Sequence, residues 1–379
     1  MSSSPIRPST VHPDRRTEEL LRLLGRVPDP RDPRGVRYGL AGLLGVAVSG
    51  VLAGARSFAA IGEWASELST DSLTRLGLPA APEESTLRKL FARLDTAALD
   101  RQLSVFGWTR SGHVQGRRVI AIDGKTVRGA RTRGGSGDLA PHLVAALDHA
   151  SGVVLGQVAV TAKSNEIPAV RDLLAGFDPA DLRGCVITLD AMHTQTDTAH
   201  TILTAGADYV LTVKANQPGL LARLKALPWS GVPARSATQT GHGRRATRTI
   251  KVVDAPVWTG FHGAAQVAQL RRTVTRAGKK SVEVVYLITS AGHATAPPAT
   301  LAAWIQGHWH IENRLHWVRD VTFDEDRSQA RTRNAPHVMA SLRNTAITLL
   351  RLTGWTNIAA GLRHHARDPD RPITCLLTS

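Results

Sequence analysis

Two short apolar runs that each end in an aspartate constrain the fold of this chain most strongly. Residues 119–122 lead directly into Asp123, and residues 186–189 lead into Asp190. Such runs are typical of buried strands, where a carboxylate is costly unless its charge is compensated. If the two strands are parallel neighbours, both carboxylates emerge at one edge of a sheet, where an oxygen-only pair suits Mg²⁺ or Mn²⁺. The alternative, a turn or helix cap after each strand, explains one aspartate well and two less well.

The patterns around these runs predict a mixed α/β (α+β) fold. From residue 117, three strand-like runs with hairpin connections, one turning at 150–152, are followed by helix, strand, helix and strand. That order gives a mixed five-stranded sheet flanked by helices, which matches the ribonuclease H-like fold. A β-rich stretch then precedes further helical patterns, and we expect it to be an insertion into the core.

Before residue 113 the chain carries only helical patterns. The apolar run 40–55 is shorter than the roughly 20 residues of a membrane-spanning helix, so we expect it to be a buried helix. The stretch 82–103 has apolar residues at helical spacing, and it could read DNA, although solvated basic faces on helices are commoner. Basic residues of this stretch lie on other faces than its apolar ones: Arg88, Lys89 and Arg93. The predicted units are a disordered tail (1–16), a helical DNA-binding domain (17–112), the first part of the core (113–220), the β-rich insertion (221–295) and the closing helices with a C-terminal tail (296–379).

The composition favours a polyanionic partner. Lys and Arg number 47 against 31 Asp and Glu, a formal charge of +16 that is spread along the chain. A dispersed positive surface points to nucleic acid ahead of membrane lipid, although a basic protein from an arginine-rich proteome has the same signature. The cysteines Cys185 and Cys375 have no disulfide or zinc-ligand spacing, and the N-terminus has no apolar signal segment. We therefore expect a cytoplasmic protein without a membrane association.

A third acid is expected on a closing helix. Spacings of three and four residues place six side chains on one stripe of that helix: Leu301, Ile305, His308, Glu312, Leu315 and Arg319. Because the stripe is partly apolar, Glu312 is predicted to face inward, where it needs a cation or a hydrogen-bond partner. The competing acids Asp324, Glu325 and Asp326 lie in a polar run that is predicted to be exposed and salt-bridged. The histidines nearby lack an H-E-x-x-H spacing and a cysteine, which disfavours zinc.

At nine points in order, the chain resembles insertion-sequence transposases of the DDE class, in the ISAs group that includes the H-repeat-associated proteins. The matching stretches are DPRDPRGVRYGLAGLL, LAGARSFAAIGEWA, IAIDGKTVRGA, KSNEIPAV, LDAMHTQ, DYVLTVKANQP, GHGRRATRTI, YLITS and HWHIENRLHWVRDVTFDED. The resemblance implies an active site of Asp123, Asp190 and Glu312 that holds two Mg²⁺ or Mn²⁺ ions. It also implies double-stranded DNA as the partner, both terminal inverted repeats and target, a homodimer in the synaptic complex, and a bacterial cytoplasm with the nucleoid as the location when DNA is bound.

The chain departs from the wider superfamily at several positions. There, the closing helix carries a tyrosine and an arginine before the glutamate and a lysine after it; here the positions hold Ile305, His308 and Arg319, so only Arg319 keeps a basic role. Relatives often have an acid where this chain has Ala246. The cations near strand ends or on the closing helix are candidates for holding phosphates, with a solvated surface charge as an equal alternative: Lys125, Arg128, Lys163, Lys214 and Arg319. Two tryptophans could stack on unpaired bases, although their helical spacing favours packing: Trp309 and Trp317.

These features predict DNA transposition, in which one site hydrolyses a strand at the end of the element and then uses the 3′-hydroxyl to attack target DNA. Two alternatives remain. A silent DNA-binding descendant of a transposase has no reason to keep all three acids. A ribonuclease H-like nuclease or resolvase that cuts without strand transfer does not need the long N-terminal region and the insertion, which both suggest recognition of specific DNA ends.

Overall fold

The computed structural model describes residues 19–131, 140–160, 165–241 and 243–379. The predicted tail 1–16 and Lys163 lie outside the described residues. The strands are β1 (Val119–Thr126), β2 (His142–Asp148), β3 (Val154–Ala159), β4 (Val186–Leu189), β5 (Asp208–Val213), β6 (Ala234–Gly241), β7 (Arg244–Asp254), β8 (Gln266–Arg276) and β9 (Lys279–Thr289). The α-helices are α1 (Glu19–Leu24), α2 (Leu40–Leu52), α3 (Phe58–Ser66), α4 (Thr70–Arg75), α5 (Glu84–Phe91), α6 (Thr96–Trp108), α7 (Glu166–Ala175), α8 (Pro179–Leu182), α9 (Thr196–Thr204), α10 (Pro218–Lys225), α11 (Pro298–Ile311), α12 (Ala335–Leu352), α13 (Ile358–His365) and α14 (Asp370–Leu377).

The described strands form one mixed sheet in the order β3-β2-β1-β4-β5-β9-β8-β7-β6. β1 pairs antiparallel with β2 and parallel with β4, and β4 pairs parallel with β5. A hairpin joins β2 to β3 around the predicted turn at 150–152. The first five strands therefore have the order and directions that the sequence predicted for a ribonuclease H-like core.

The β-rich insertion extends this core sheet. β9 pairs antiparallel with β5, and β8, β7 and β6 continue outward from it. Pairing with β9 covers an edge of β5 that would otherwise present unpaired backbone groups. The sequence patterns gave three strands in the insertion and missed β6, because its residues ARSATQTG are all exposed and carry no apolar alternation.

Side-chain alternation along the strands decides which face of the sheet carries the acids. Ile120 and Ile122 pack in the core that includes residues of α7, α9 and α10, whereas Val119 packs with residues of α11 on the other face. Asp123 has the same parity as Val119, so its side chain lies on the α11 face. In β4, Val186 also packs on the α11 face, and Asp190 shares its parity. Both carboxylates therefore lie on the face that α11 covers. Asp190 directly follows β4, as predicted, but β1 continues past Asp123 to Thr126 because its antiparallel pairing with β2 extends that far, so the predicted strand end at Asp123 is wrong.

The N-terminal helices share a hydrophobic core with the C-terminal helices. Buried apolar side chains of α1 to α6 form one cluster with those of α12, α13 and α14. α2 is buried along nearly its whole length, as predicted for the apolar run, and no helix in the described stretches is long and apolar enough to cross a membrane. The predicted unit 17–112 is thus not packed as a separate body.

The stretch 82–103 forms two helices where the sequence predicted a continuous helical pattern. α5 ends at Phe91, and α6 begins at Thr96 after a break. The side chain of Asp95 accepts a hydrogen bond from the Ala98 backbone N–H at 2.9 Å. This N-cap satisfies one of the free donors at the start of α6 and fixes the break.

The closing helix changes its hydrogen bonding at Glu312. α11 is followed by π-helical turns at Glu312–His316 and Val318–Thr322. The regular α-helix as far as Arg319 that the stripe assumed is therefore wrong in this part. π-helical turns are wider than α-helical ones and are frequent at functional sites. The stripe residues after this change, Leu315 and Arg319, are nevertheless buried.

Candidate functional site

Asp123, Asp190 and Glu312 line one cleft on the α11 face of the sheet. Ile122 lies opposite Leu189 in the last pair between β1 and β4, so the two aspartates follow at equivalent positions where these strands separate. The cleft has a volume of about 240 Å³. Its other walls come from β4, β5, β8, β9 and α11 and include Thr188, Thr212, Lys214, Leu270, Glu283, Val285, Ile305, His308 and Trp309. The structure thus brings together the three acids that were singled out in the sequence.

Glu312 is more exposed than the helical stripe predicted. Its side chain is 54% exposed, because the stripe crosses the mouth of the cleft at this point. Its flanking stripe residues Leu301 and Leu315 are buried as predicted. Glu312 therefore faces a solvent-filled cleft and a neighbouring carboxylate instead of an apolar core.

A histidine that sequence reasoning missed completes this cluster. His316 Nδ1 lies 3.5 Å from Asp123 Oδ2 and 3.9 Å from Glu312 Oε2. Ligand atoms of these three residues all lie within 4.8 Å of one another, the one such group found in the described part of the chain. The spacing in the sequence could have indicated this contact, because His316 follows Glu312 by four residues and so lies on the same side of the helix.

The electrostatics of the cluster keep Glu312 ionised. Contact with His316, aided by Asp123 and Lys125, outweighs burial and lowers the pKa of Glu312 to about 2. Burial by itself would lower the pKa of His316, but hydrogen bonding to Asp123 and Glu312 outweighs it and raises that pKa. The raised pKa favours the charged form of this imidazole, which partly offsets the repulsion between two carboxylates that is otherwise relieved by protonation or by a bound cation.

Asp190 both caps a turn and lines the cleft. Its side chain accepts a hydrogen bond from the Ala191 backbone N–H at the start of the short 3₁₀ turn Ala191–His193. The capping role that the sequence left open is therefore present for this aspartate. Its side chain nevertheless remains half exposed, with Lys214 Nζ 3.6 Å from Oδ1. The cap fixes the direction of the carboxylate and leaves oxygen lone pairs free for a ligand.

A chain of polar contacts supports the floor of the cleft. Thr188 Oγ1 lies 2.9 Å from His308 Nδ1 and 3.2 Å from His149 Nε2. Burial lowers the pKa of His308 although the three carboxylates oppose this, and burial lowers the pKa of His149 to about 2. Both imidazoles are therefore neutral at pH 7, and His308 faces the cleft as an uncharged group where the wider superfamily has an arginine.

A second group, also missed in the sequence, connects β2 to the turn after Asp190. Glu166 of α7 lies 2.7 Å from His142 Nε2 on β2 and 3.5 Å from His193 Nε2, in the turn after Asp190. These contacts lower the pKa of Glu166 to about 2 against the effect of burial. A Cβ on Gly124 would lie 2.4 Å from the Glu166 carboxyl carbon, so the glycine after Asp123 is required for this close approach.

Two of the predicted phosphate-binding cations are unavailable to a ligand. Arg319 is fully buried and its Nη2 lies 2.8 Å from Glu325 Oε2. Lys125 is almost fully buried and pairs with Asp320. Both predictions are wrong, because a cation placed close to carboxylates inside the fold has its charge compensated there and does not reach solvent.

The other described cations remain accessible. Lys214 lines the cleft and Arg128 is largely exposed, with Asp326 3.6 Å from it. The three cations on and after α5 are exposed: Arg88, Lys89 and Arg93. Their contacts with DNA stay predictions. The two tryptophans of the closing helix are not packing residues as their spacing favoured, because the side chains are largely open to solvent: Trp309 (62% exposed) and Trp317 (56% exposed).

The prediction that Glu325 lies in an exposed run is wrong. Glu325 is fully buried between two buried guanidinium groups, with Arg343 Nη1 2.9 Å from Oε1 and Arg319 on its other side. Burial would raise the pKa of this carboxyl, but the two arginines outweigh it and lower the pKa. Its neighbours Asp324 and Asp326 are partly exposed, as expected. Glu325 therefore belongs to the core and does not compete with Glu312 for the cleft.

Comparisons with known proteins give consistent matches over nearly the whole chain. A family model described as "Transposase DDE domain" matches residues 114–349, and one described as "DDE_Tnp_1-associated" matches residues 21–107. "Putative transposase YncI" of Escherichia coli O157:H7 is 31% identical over 88% of this chain and 87% of its own length. "H repeat-associated putative transposase YhhI" of Escherichia coli (strain K12) is 30% identical over 92% of this chain and 94% of its own length.

One solved structure also aligns along the chain. A piggyBac transposase, determined by cryo-EM in a synaptic complex with hairpin DNA, aligns with a TM-score of 0.41 at 13% sequence identity. The alignment covers 95% of this chain and 79% of the other.

Proposed function

This chain belongs to the DDE transposases of the H repeat-associated type, and from that premise we propose that it binds the ends of an insertion sequence and catalyses metal-dependent DNA cleavage and strand transfer. The observation that carries the proposal is the meeting of Asp123, Asp190 and Glu312 in one cleft. These acids come from distant parts of the chain. The two aspartates are 67 residues apart, and Glu312 lies on the closing helix after the β-rich insertion.

The donor set fits a hard divalent cation, and DDE transposases generally use divalent metal ions. Carboxylate oxygens are the ligands that Mg²⁺ and Mn²⁺ prefer, and the lowered pKa of Glu312 keeps that donor deprotonated at neutral pH. We propose that Asp123, Asp190 and Glu312 hold two such ions. When bound, a pair of ions activates the attacking oxygen and stabilises the leaving oxygen during in-line attack on a phosphodiester.

The residues of the chain itself would orient the DNA for both steps. In the first, a water oxygen bonds to phosphorus as the bond to the 3′-oxygen breaks, which leaves a 3′-hydroxyl at the element's end. In the second, this hydroxyl attacks a target phosphodiester. Lys214, beside Asp190 in the cleft, is placed to contact a phosphate, and the exposed ring of Trp309 at the cleft wall is available to stack on an unpaired base. Because one element has two ends, we extend the proposal to a homodimer on DNA.

The proposal predicts Mg²⁺-dependent strand transfer by the full-length chain. Duplexes that carry the inverted repeats flanking its gene would be incubated with a supercoiled plasmid, and joined products would be resolved on a sequencing gel. We expect 3′-end cleavage followed by covalent joining to the plasmid, with neither step in EDTA. Cleavage without joining would support the nuclease alternative, and specific binding without cleavage would support the silent DNA-binding protein.

A further inference from the structure

One face of the β-rich insertion carries cations that lie opposite each other on neighbouring strands. Residues opposite each other in antiparallel register point to the same side of a sheet. Arg248 lies opposite Arg272, and Arg244 lies opposite Arg276, which in turn lies opposite Lys279. With Arg235, which has the same parity in the neighbouring strand, these residues form what we call the arginine face: Arg235, Arg244, Arg248, Arg272, Arg276 and Lys279.

The positive charge of the arginine face is poorly compensated within the fold. From Ile250 toward Arg244, the described residues of these four strands include one acid, Glu283. Glu283 lies 3.8 Å from Arg272. Like charges directly opposite each other destabilise a sheet. Burial, together with the charges of Arg272 and Arg244, lowers the pKa of Arg248, which shows how closely these cations are crowded. An arrangement that costs stability in the free protein is favourable once an anionic ligand neutralises it.

The arginine face is continuous with the cleft that holds the three acids. Four of its arginines line one side of a groove whose other side is α11: Arg235, Arg244, Arg248 and Arg272. The groove has a volume of about 530 Å³. The groove and the acidic cleft share five wall residues: Leu270, Glu283, Val285, Ile305 and Trp309. A ligand lying along the groove therefore passes the exposed tryptophan and arrives at the acids.

The dimensions suit a nucleic acid backbone. Arg248 lies four positions after Arg244 in β7, a span of about 14 Å along the strand. Across the strands, the distance from β7 to β9 is about 10 Å. A surface of this size spans a groove of B-form DNA, which is roughly 6 to 12 Å wide. Several phosphates can then contact the arginine face at once.

We propose that the arginine face binds the phosphate backbone of the DNA duplex and leads the scissile strand into the cleft of Asp123, Asp190 and Glu312. This proposal rests on the proposed function and adds the surface that holds the substrate. The face supplies affinity and position without reading bases, because guanidinium contacts to phosphates carry no sequence information directly.

The opposite face of the same strands provides a matched control. Arg245 and Arg271 are exposed, and their parity places them on the other side of the sheet from Arg248 and Arg272. The double variants Arg248→Gln/Arg272→Gln and Arg245→Gln/Arg271→Gln therefore remove the same charge from the same two strands. Binding of each full-length variant to a fluorescent duplex bearing the inverted repeat would be measured by anisotropy over a KCl series, and folding would be checked by circular dichroism.

We expect Arg248→Gln/Arg272→Gln to weaken binding by about 10- to 100-fold and to make the log–log salt dependence shallower by about 2, because each lost phosphate contact releases one counterion fewer. The control variant should stay within about threefold of the wild type. Equal weakening of both variants, or no change in either while the wild type binds and cleaves, would overturn the proposal and leave the proposed function standing. A wild-type chain that neither binds nor cleaves the duplex would instead refute the proposed function.

Discussion

Replacing Glu312 by glutamine is expected to lower the rate of Mg²⁺-dependent DNA cleavage by at least ~10³-fold, since a metal ion contributes several kcal/mol to such a reaction and each 1.4 kcal/mol is tenfold in rate. The substitution keeps the side-chain volume and removes one charged oxygen ligand beside Asp123 and His316. Binding to the inverted repeat should stay close to that of the wild type, because the half-exposed side chain does not hold the fold together. Single-turnover cleavage and anisotropy on the same duplex measure the two effects.

Glu283→Gln is the matched control for this change. Glu283 lines the same cleft and is also largely exposed, but it pairs with Arg272 and is not part of the cluster around Asp123. At saturating enzyme its cleavage rate should remain within about threefold of the wild type, because Glu283 lies outside the group of ligand atoms of Asp123, Glu312 and His316 and its exposed pair with Arg272 contributes little to stability. Near-normal cleavage by Glu312→Gln, or an equal loss in Glu283→Gln, would show that Glu312 is not a metal ligand.

The second large effect concerns stability. Glu325→Gln should lower the free energy of unfolding by about 3–5 kcal/mol, because removing one partner of a buried ion pair leaves charge uncompensated in the core. Here two guanidinium groups, of Arg319 and Arg343, would lose their carboxylate. Urea unfolding monitored by circular dichroism at pH 7 measures the difference.

The same contribution has a defined pH dependence. The pKa of Glu325 is lowered in the folded chain, so its stabilisation is fully present above the ordinary value of 4.5 and is lost as pH falls through the lowered pKa. The difference between wild type and Glu325→Gln should therefore be constant from pH 7 to about 5 and shrink at lower pH. Asp324→Asn, in a surface pair one residue away, should change stability by less than about 1 kcal/mol. A Glu325→Gln variant as stable as Asp324→Asn would contradict the buried network.

Local patterns were sufficient to predict the core sheet and the place of two acids. An apolar run of four residues followed by an aspartate is informative because a carboxylate in or beside a buried strand is costly and needs a compensating partner. The run did not reveal that β1 continues past Asp123 to Thr126. Hairpin and crossover connections then fix which strands are neighbours, and Asp123 and Asp190 meet as predicted. Helical spacing predicted that Glu312 belongs to the site, but it did not predict that half of the side chain is exposed.

The remaining features depend on contacts between distant parts of the chain. Glu325 looks solvated in its polar run, and only the arrival of Arg343 from α12 and Arg319 from the closing helix makes it a core residue. His316 could not be assigned from local spacing, because its partner Asp123 comes from a strand nearly 200 residues earlier in the chain. The shared core of the terminal helices likewise joins segments more than 200 residues apart, which no local period reveals.

Because the N-terminal and C-terminal helices share one core, residues 17–112 are not packed as an independent unit. The family model matched to residues 21–107 covers helices whose apolar faces pack against α12 and α14. A fragment that ends near residue 112 would expose these faces to water. DNA-binding experiments are accordingly best made on the full-length chain.

A ligand switch at Asp123 tests most directly whether this carboxylate holds a metal ion during DNA cleavage. Asp123→Cys replaces a hard oxygen donor by sulfur, which Mg²⁺ accepts poorly and softer transition-metal ions accept better. Single-turnover cleavage of the inverted-repeat duplex would be measured for wild type, Asp123→Cys and Asp123→Asn in Mg²⁺ and in Mn²⁺. We predict that both variants are inactive in Mg²⁺ and that only Asp123→Cys regains cleavage in Mn²⁺. Wild-type rates for Asp123→Asn in Mg²⁺ would contradict a metal-binding role for Asp123 and with it the proposed catalytic site.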